Sequence, residues 1–287
     1  MKILAGITLY NPDINRLKEN INAIYKQVDK LIFINNDSKN RTQIEKMLND
    51  LIVSNKISNN LIEIIDNKKN EGVAYALNEM LDYACENGYD WFLTLDQDSV
   101  SKPELIEKYK KYTSQKDVAM MTCIIKDRNF EAENKMDDEY TYVNRCITSA
   151  ALNNTKIIKK LGGFDNELFI DSVDFDICAT IIENGYKILK VNYEGILNEV
   201  GHTKTVKIFG KTEYIYNHSP FRTYYVIRNA IIMNYKHESL NTLKNKLRVI
   251  KREIIIVLFQ KNKIENIKAI RRARRDAKKI VKQYRKL

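Results

Sequence analysis

The chain has 287 residues, of which 44% are hydrophobic, so it can bury a sizeable core and is not a disordered chain. Its formal net charge of +11 is uneven: the segment from Leu240 to Leu287 carries 17 Lys and Arg against three acids, a net charge of +14, which leaves −3 for the remainder. With only 9 glycines and 3 prolines, long flexible linkers are excluded.

Neither a secretion signal nor a membrane span is expected. The N-terminal apolar run is short and ends at Tyr10-Asn11-Pro12, which favours a first strand over a signal peptide. The longest apolar stretch of the basic segment, Ile254–Phe259, is too short to cross a bilayer. The cysteines are Cys85, Cys123, Cys146 and Cys178. They form no Cys-x-x-Cys pair, which predicts isolated buried thiols in a reducing cytosol.

The first half of the chain alternates apolar runs of strand length with segments of helical periodicity. The expected strands are Ile3–Leu9, Leu31–Ile34, Leu61–Ile65 and Trp91–Leu95. The expected helices are Ile14–Ile24, a segment around Ile44–Leu51, and Val73–Ala84. Repeated βα units predict an α/β fold with a doubly wound, mostly parallel sheet, whose ligand site lies outside the carboxyl ends of the strands.

The second half is less regular. Further strands are expected at Val118–Ile125, Tyr140–Ala151 and Lys187–Val191. Further helices are expected at Pro103–Tyr112, Ile157–Leu161, Asp174–Asn184, and from Phe221 onward, including Leu240–Gln260 and Ile264–Leu287. We therefore expect a main domain at residues 1–236 and a basic amphipathic helical extension at residues 237–287.

The triplet Asp96-Gln97-Asp98 directly follows the fourth predicted strand. Two carboxylates at the mouth of a buried strand are hard oxygen ligands for Mg²⁺ or Mn²⁺. Such a cation can bridge the phosphates of a nucleotide diphosphate. An isolated Asp-x-Asp is more often a solvated turn, but the position after Trp91–Leu95 favours the metal site.

The segment from Asn70 to Asn78 reads Asn-Glu-Gly-Val-Ala-Tyr-Ala-Leu-Asn. Gly72 is expected to open a helix whose N-terminus attracts phosphate or sugar oxygens. The alternative, which this stretch favours when taken alone, is an ordinary helix start capped by Asn70.

Several motifs together are similar to those of a known enzyme family. They are Thr8-Leu9-Tyr10-Asn11-Pro12, Asn36-Asp37-Ser38, Asn70-Glu71-Gly72-Val73-Ala74 with Asn78, Asp96-Gln97-Asp98, Gly162-Gly163-Phe164-Asp165, Phe169-Ile170-Asp171-Ser172-Val173-Asp174, and Arg222-Thr223-Tyr224-Tyr225-Val226-Ile227-Arg228-Asn229. In order and spacing the chain resembles a family 2 glycosyltransferase of the GT-A type, over roughly residues 3 to 235. The forms Asp-Gln-Asp, Phe-Ile-Asp-x-Val-Asp and Tyr-Tyr-x-x-Arg-Asn are similar to the rhamnosyltransferase branch.

The resemblance implies an inverting, metal-dependent transfer of L-rhamnose from dTDP-L-rhamnose to a saccharide or lipid-linked saccharide, in synthesis of a bacterial surface polysaccharide such as a capsule. A UDP-hexose is the alternative donor. A sugar nucleotidyltransferase, which also uses a doubly wound sheet and a metal, would open with a glycine-rich, arginine-containing loop, and Thr8–Pro12 provides neither.

The resemblance also implies residue roles. Base and ribose would be held by Thr8, Tyr10, Asn11 and Asp37, with further donor contacts from Asn70, Gly72, Asn78, Asp96 and Gln97. The metal would be held by Asp96, Asp98 and His202. Asp174 occupies the position of the catalytic base, although the commoner Glu-Asp of the family is Val173-Asp174 here. Asp171 is the rival base, or merely the cap of the following helix.

Arg222, Tyr225 and Arg228 recur at three-residue steps, so on a helix they share a face. Arginine forks suit phosphate oxygens, which favours a cationic clamp on the donor diphosphate or on a lipid-diphosphate acceptor. The alternative is a surface helix with its tyrosine packed inward.

The basic extension has its own amphipathic pattern. The apolar residues Leu243, Leu247, Ile250, Ile254 and Leu258 fall on one helix face. A basic amphipathic helix favours docking on an anionic membrane surface, here the inner face of the cell membrane, by a cytoplasmic protein. A homo-oligomer contact through these helices is the alternative. Nucleic acid is not an expected partner, because no recognised nucleic-acid module accompanies Arg271–Arg275.

Overall fold

The computed structural model describes residues 1–58, 60–127, 138–198, 204–208 and 211–284. Its first half is a run of βα units. The strands are β1 (Ile3–Leu9), β2 (Lys30–Asn35), β3 (Ile62–Asp66) and β4 (Trp91–Asp96). The helices between them are α1 (Ile14–Ile24), α2 (Arg41–Ser54) and α3 (Val73–Glu86). These elements confirm the predicted βα order, with ends that differ by a few residues.

The second half adds strands from both directions. The strands are β5 (Val100–Ser101), β6 (Val118–Asp127), β7 (Tyr140–Val143), β8 (Ala151–Asn154) and β9 (Lys187–Asn198). The helices are α4 (Leu105–Lys110), α5 (Thr155–Lys160) and α6 (Val173–Glu183), with a 3₁₀ turn at Asn166–Leu168. The hairpin β10 (Lys204–Ile208) and β11 (Lys211–Ile215) follows. The last helices are α7 (Pro220–Lys236), α8 (Leu243–Phe259) and α9 (Lys263–Tyr284).

The central sheet has the order β3-β2-β1-β4-β8-β6-β9-β5, and β7 pairs with β9. The ladders β3-β2-β1-β4 and β6-β9 are parallel, whereas β8 is antiparallel to both β4 and β6. Most paired positions therefore lie in parallel ladders, and the predicted mostly parallel α/β sheet is confirmed.

Alternate residues of each central strand enter different cores, as a doubly wound sheet requires. On β1, Ile3 and Ile7 pack with α1 and α2 on one face, while Leu4 packs with α3 and α6 on the other. Helix α1 begins at Asp13, whose carboxylate accepts hydrogen bonds from the backbone N–H groups of Asn15 and Arg16 at 2.9 and 3.0 Å. The chain therefore turns back onto the sheet directly after β1.

In the second half one expectation was wrong and one element was missed. Tyr140–Ala151 was predicted as one strand but forms two, because β7 pairs with β9 whereas β8 lies between β4 and β6. The chain must turn between these positions, and Ala150 has a φ of 59° there. The hairpin β10–β11 was not predicted.

The cysteine expectation is partly wrong. Cys123 and Cys178 are buried, but Cys85 is exposed and Cys146 is half-buried. The sulfurs of Cys146 and Cys178 lie 3.8 Å apart, so these two thiols are neighbours rather than isolated.

The C-terminal helices pack on the rest of the protein. Ala277 of α9 belongs to the same core as α3 and α6, and the hydroxyl of Tyr284 donates to the Asp165 carboxylate at 2.7 Å. Lys236 and His237 lie on the two sides of the expected domain boundary, and both bind Asp176. The division at residue 236 stays a prediction. No helix in the described ranges combines the length and the hydrophobicity that a bilayer crossing requires.

Candidate active site

The loops that follow β1, β2 and β4 meet at one edge of the sheet. Thr8 is paired with Asp96 across the β1–β4 ladder, and Leu9 is paired with Asn35 across β1–β2. The carboxyl ends of parallel strands thus bring the acidic triplet beside the loop that begins at Tyr10.

Gln97 connects these two loops. Its Oε1 accepts a hydrogen bond from the Tyr10 backbone N–H at 2.9 Å, and its Nε2 donates to the Tyr10 carbonyl at 3.4 Å. Its amide is therefore bound to protein, although we predicted it as a donor contact. Asn20 of α1 is fully buried and donates to the Asp96 carbonyl at 2.7 Å, which holds the end of β4.

The loops after β1 and β2 border the acidic triplet, and we call the region between them and the loop at 168–174 the cleft. Tyr10 is 48% exposed, and Asp37 is exposed with a φ of 59°, so both side chains are available to a base and ribose. Thr8 is half-buried. The Asn11 side-chain oxygen accepts from the Lys39 backbone N–H at 2.8 Å, which fixes the rim rather than leaving that oxygen for a ligand.

Asp96 is the last residue of β4. Surrounding protein atoms partly desolvate its carboxyl, which raises its pKa to about 6. The negative charges of Asp98 and Asp174 raise this pKa further, while the positive charge of Arg222 opposes them. The charge of the predicted base therefore acts on the predicted metal ligand Asp96, which indicates that the two carboxylates lie near one another.

The residues present fit a divalent cation. Crowded carboxylates that resist ionisation are stabilised by a cation, and Mg²⁺ commonly takes one or two carboxylates with phosphate oxygens and water. Within the described ranges no three acidic, histidine or cysteine side chains cluster as a complete ligand set. The expected third ligand, His202, lies outside the described residues.

A strained loop presents Asp171 and Asp174. Phe169, Asp171 and Ser172 have φ values of 60°, 65° and 67°, a conformation that costs non-glycine residues free energy. The buried Asn229 of α7 offsets this cost, because its Nδ2 lies 2.8 Å from each of the carbonyls of Leu168, Ile170 and Asp171. An amide on α7 thus fixes the start of α6.

The two candidate bases differ in their surroundings. Asp174 lies in the first turn of α6, and burial raises its pKa to about 6, against hydrogen bonds from backbone N–H groups, including that of Phe175. The charge of Asp171 raises the pKa further and that of Arg145 lowers it. Asp171 instead forms an ion pair with Arg222 at 3.1 Å. The cap of α6 is Ser172, so the alternative of Asp171 as a helix cap is wrong.

The three residues of the predicted clamp on α7 have different surroundings. Arg222 is exposed and faces Asp171, whereas Arg228 is only 7% exposed. The Arg228 guanidinium donates to the Glu167 carbonyl and lies 4.6 Å from the ring centre of Tyr225. Tyr225 also stacks on Phe169 with ring centres 4.9 Å apart. Arg222 therefore remains as a cleft residue, while Arg228 and Tyr225 support the loop.

The helix start at Gly72 is also committed to protein. The Phe169 carbonyl accepts from the backbone N–H of Val73 at 2.6 Å, and the Asn70 side chain accepts from Gly72 at 3.0 Å without capping the helix. A Cβ at Gly72 would lie 2.6 Å from Phe169, which explains the glycine. The amide of Asn78 binds both the N–H and the carbonyl of Phe164. This segment therefore supports the Phe169 loop. The backbone N–H of Val73 already binds the Phe169 carbonyl, so it is not free for the predicted phosphate contact.

Sequence reasoning assigned no role to several residues that support the site. Asn20 and Asn229 each fix one side of the cleft. Asp176 joins α6 to the end of α7, because its carboxylate binds Lys236 at 2.9 Å and His237 at 2.8 Å. Burial alone would lower the pKa of His237, but the hydrogen bonds that its ring makes to the Asp176 and Glu183 carboxylates raise it. The sequence contained one signal for these residues, since each is a polar residue on an otherwise apolar face of α1, α6 or α7.

The family model for glycosyl transferase family 2 matches residues 5–174, from β1 through Asp174. The chain therefore belongs to glycosyltransferase family 2, and it is a glycosyltransferase that uses a nucleotide sugar. It is 26% identical over 284 residues to a Shigella flexneri protein named dTDP-rhamnosyl transferase RfbF, with 93% of this chain and 92% of that protein covered.

Solved structures share the fold. Residues 1–349 of Staphylococcus aureus TarS, in complex with UDP, align with a TM-score of 0.63 at 16% identity, covering 91% of this chain and 76% of that one. The mannosyltransferase PcManGT from Pyrobaculum calidifontis, with GDP-Man and Mn²⁺, aligns at 0.59 and 12% identity, covering 96% and 73%. GalNAc-T7 with UDP, GalNAc and Mn²⁺ aligns at 0.58 and 14% identity, and the match covers 79% of this chain but only 47% of GalNAc-T7. These likenesses support a GT-A fold.

Proposed function

We propose that this chain is an inverting glycosyltransferase that moves L-rhamnose from dTDP-L-rhamnose to a hydroxyl of a saccharide or lipid-linked saccharide in surface polysaccharide synthesis. The donor rests on the likeness to the Shigella protein, which extends over nearly the whole of both chains. The reaction type rests on one arrangement: Asp174, in the first turn of α6, lies near enough to Asp96, at the end of β4, for its charge to raise the pKa of that carboxyl.

Asp174 is the proposed base. A carboxylate whose pKa is near 6 is ionised at neutral pH and accepts a proton more readily than an ordinary aspartate. It takes the proton of the acceptor hydroxyl while that oxygen bonds to the anomeric carbon. The bond from this carbon to the diphosphate oxygen breaks, and the nucleoside diphosphate leaves with the electron pair. Attack opposite the leaving group inverts the configuration.

Asp171 and Arg222 have positioning roles in this proposal. Their ion pair joins the loop before α6 to the first turn of α7. Arg222 also adds positive charge near Asp96. Asp96 and Asp98 would hold Mg²⁺ or Mn²⁺, which when bound would stabilise the negative charge of the departing diphosphate.

A donor panel tests the reaction. The purified protein is incubated with dTDP-L-rhamnose, UDP-glucose or UDP-N-acetylglucosamine, with Mn²⁺, Mg²⁺ or EDTA, and released nucleoside diphosphate is measured. We expect release from dTDP-L-rhamnose that EDTA abolishes and that Asp174→Asn greatly reduces. Release from a UDP-sugar alone would show that the donor is not dTDP-L-rhamnose. Equal release in the presence of EDTA would show that the reaction does not need a metal.

We also propose that α8 docks the protein peripherally on an anionic membrane, at the inner face of the cell membrane. Its predicted apolar face is exposed: the exposed fractions are 73% for Leu243, 55% for Leu247, 44% for Ile250, 53% for Ile254 and 56% for Leu258. Lysines and arginines elsewhere on the helix suit lipid phosphates, each worth about 1 kcal/mol near such a surface.

Vesicle sedimentation tests this surface. The double variant Leu247→Gln/Ile254→Gln should bind phosphatidylglycerol vesicles at least about tenfold more weakly than wild type. The control Val53→Gln removes an apolar side chain on α2 that is 78% exposed, and it should bind as wild type does. If the wild type instead forms a dimer that the double variant dissociates, the face is an oligomer contact.

A further inference from the structure

A cavity opens beside the start of α6, between α6, α7 and α8. Its volume is about 220 Å³. Ser172 and Phe175 line it, and these residues flank the proposed base in sequence. Three arginines also line the cavity. Arg145 comes from the segment between β7 and β8, and Arg248 and Arg252 come from successive turns of α8. The cavity thus lies next to Asp174.

The cavity has a strong charge imbalance. Three guanidinium groups line it, and none of its described lining residues is acidic. In the described ranges, no hydrogen bond or ion pair engages the guanidinium of Arg145 or of Arg252, while Arg248 donates to the Asn245 side chain at 2.8 Å. Arg145 also lies 5.6 Å from the ring centre of Phe175, which orients it along the cavity wall. The nitrogen donors are therefore available to a ligand.

The surroundings of Arg252 support an anionic ligand. Burial lowers its pKa, and the positive charge of Arg222 lowers it further, against the negative charge of Asp171. Positive groups that repel one another in this way are stabilised by an anion. Arginine forks match phosphate oxygens in particular, because two N–H groups can bind two oxygens of one phosphate.

None of the described residues proposed to bind the donor or the metal lines this cavity. Asp96 is the last residue of β4, whereas the arginine cavity lies beside Ser172 and Phe175 at the start of α6. The charge of Arg145 acts on Asp174, and that of Arg252 is coupled to Asp171. The cavity therefore adjoins the loop that presents the base.

We propose that the cavity of Arg145, Arg248 and Arg252 binds a phosphate or diphosphate group of the acceptor, so that the acceptor is a phosphate-bearing glycoside. The proposal rests on the proposed function, since it assigns the acceptor of the same site. Helix α8 carries both Arg248 and Arg252 and the exposed apolar face, so one helix can contact a membrane and a lipid-linked phosphate together.

Binding of simple phosphates by the full-length protein tests the site. Isothermal titration is done in EDTA, which disables a metal-dependent donor site, with inorganic pyrophosphate and with farnesyl diphosphate as probes. Arg248→Gln and Arg252→Gln should each weaken pyrophosphate binding by at least about tenfold, since a charge-assisted contact is lost. Arg271→Gln, an exposed arginine of α9 outside the cavity, should leave binding within about twofold of wild type.

The outcomes separate the hypotheses. Tighter binding of farnesyl diphosphate than of pyrophosphate indicates a lipid-linked phosphate, and equal binding indicates recognition of the phosphate alone. No binding by wild type, or equal loss in all three variants, would overturn the site. Donor turnover is measured in parallel: turnover without arginine-dependent binding rejects this site alone, and arginine-dependent binding without turnover of any donor rejects the proposed reaction. Thermal unfolding checks that the variants are folded.

Discussion

The two sides of the cleft are held by different forces. The strand side, which consists of the loops after β1 and β4, is joined by neutral amide hydrogen bonds from Gln97 and Asn20. The helix side, which consists of the loop at 168–174 with α6 and α7, is joined by ion pairs as well as by Asn229. The strand side is already aligned by the backbone ladder between β1 and β4, whereas the loop at 168–174 is held to α7 by side-chain contacts.

The largest expected effect is on the helix side. Asp174→Asn removes the proton acceptor, so kcat should fall by about 10²- to 10⁴-fold. Asp171→Asn removes one partner of the Arg222 ion pair, and this variant should lower kcat by about tenfold. Nucleoside diphosphate release in the presence of acceptor measures both. A larger loss of kcat in Asp171→Asn than in Asp174→Asn would indicate that Asp171 is the base and Asp174 the positioning residue.

The next effect concerns stability. Asp176 is 2% exposed and binds both Lys236 and His237, so Asp176→Asn leaves the half-buried Lys236 and the buried His237 with a weaker partner. We expect the free energy of unfolding to fall by about 3–5 kcal/mol, as for a broken buried ion pair. Urea unfolding followed by circular dichroism measures it.

A matched surface pair provides the control for that variant. Asp82 and Lys159 lie 2.6 Å apart, and both side chains are more than half exposed. Asp82→Asn should change the unfolding free energy by less than about 1 kcal/mol. Equal losses in the two variants would show that burial of the charged network does not support α6.

A smaller effect separates the two sides directly. Asn20→Ala removes the amide that holds the Asp96 carbonyl, and Asn229→Ala removes the amide that holds the 168–171 carbonyls. Each should cost about 1–3 kcal/mol of stability, because buried polar groups lose their partners. In steady-state kinetics we expect Asn20→Ala to raise the KM for the donor and Asn229→Ala to lower kcat. Identical kinetic changes would argue against two separately held sides.

The smallest effect is a shift in pH dependence. The base must be ionised, and the pKa of Asp174 is raised to about 6, so kcat/KM should fall as the pH drops through about 6 and level off above it. The positive charge of Arg145 lowers this pKa while Asp171 raises it, so Arg145→Gln should move the acid limb to higher pH. Saturating metal in the assay keeps Asp96 ionised. A limb near pH 4 would contradict the raised pKa.

The sequence by itself determined the first half of the fold and one side of the site. Its apolar runs and 3.6-residue periodicity predicted β1 to β4 and the position of Asp96 and Asp98, because local patterns decide burial in βα units. The family motifs also indicated Asp174.

Only the tertiary structure decided the other side. No local pattern shows that Asn229 binds carbonyls some 60 positions earlier, that Arg228 is buried beneath Tyr225, or that Tyr140–Ala151 divides between two sheet positions. Nor does it show that Arg145 meets Arg248 and Arg252. Such contacts join elements distant in the chain, and their geometry depends on how the helices pack rather than on residue spacing.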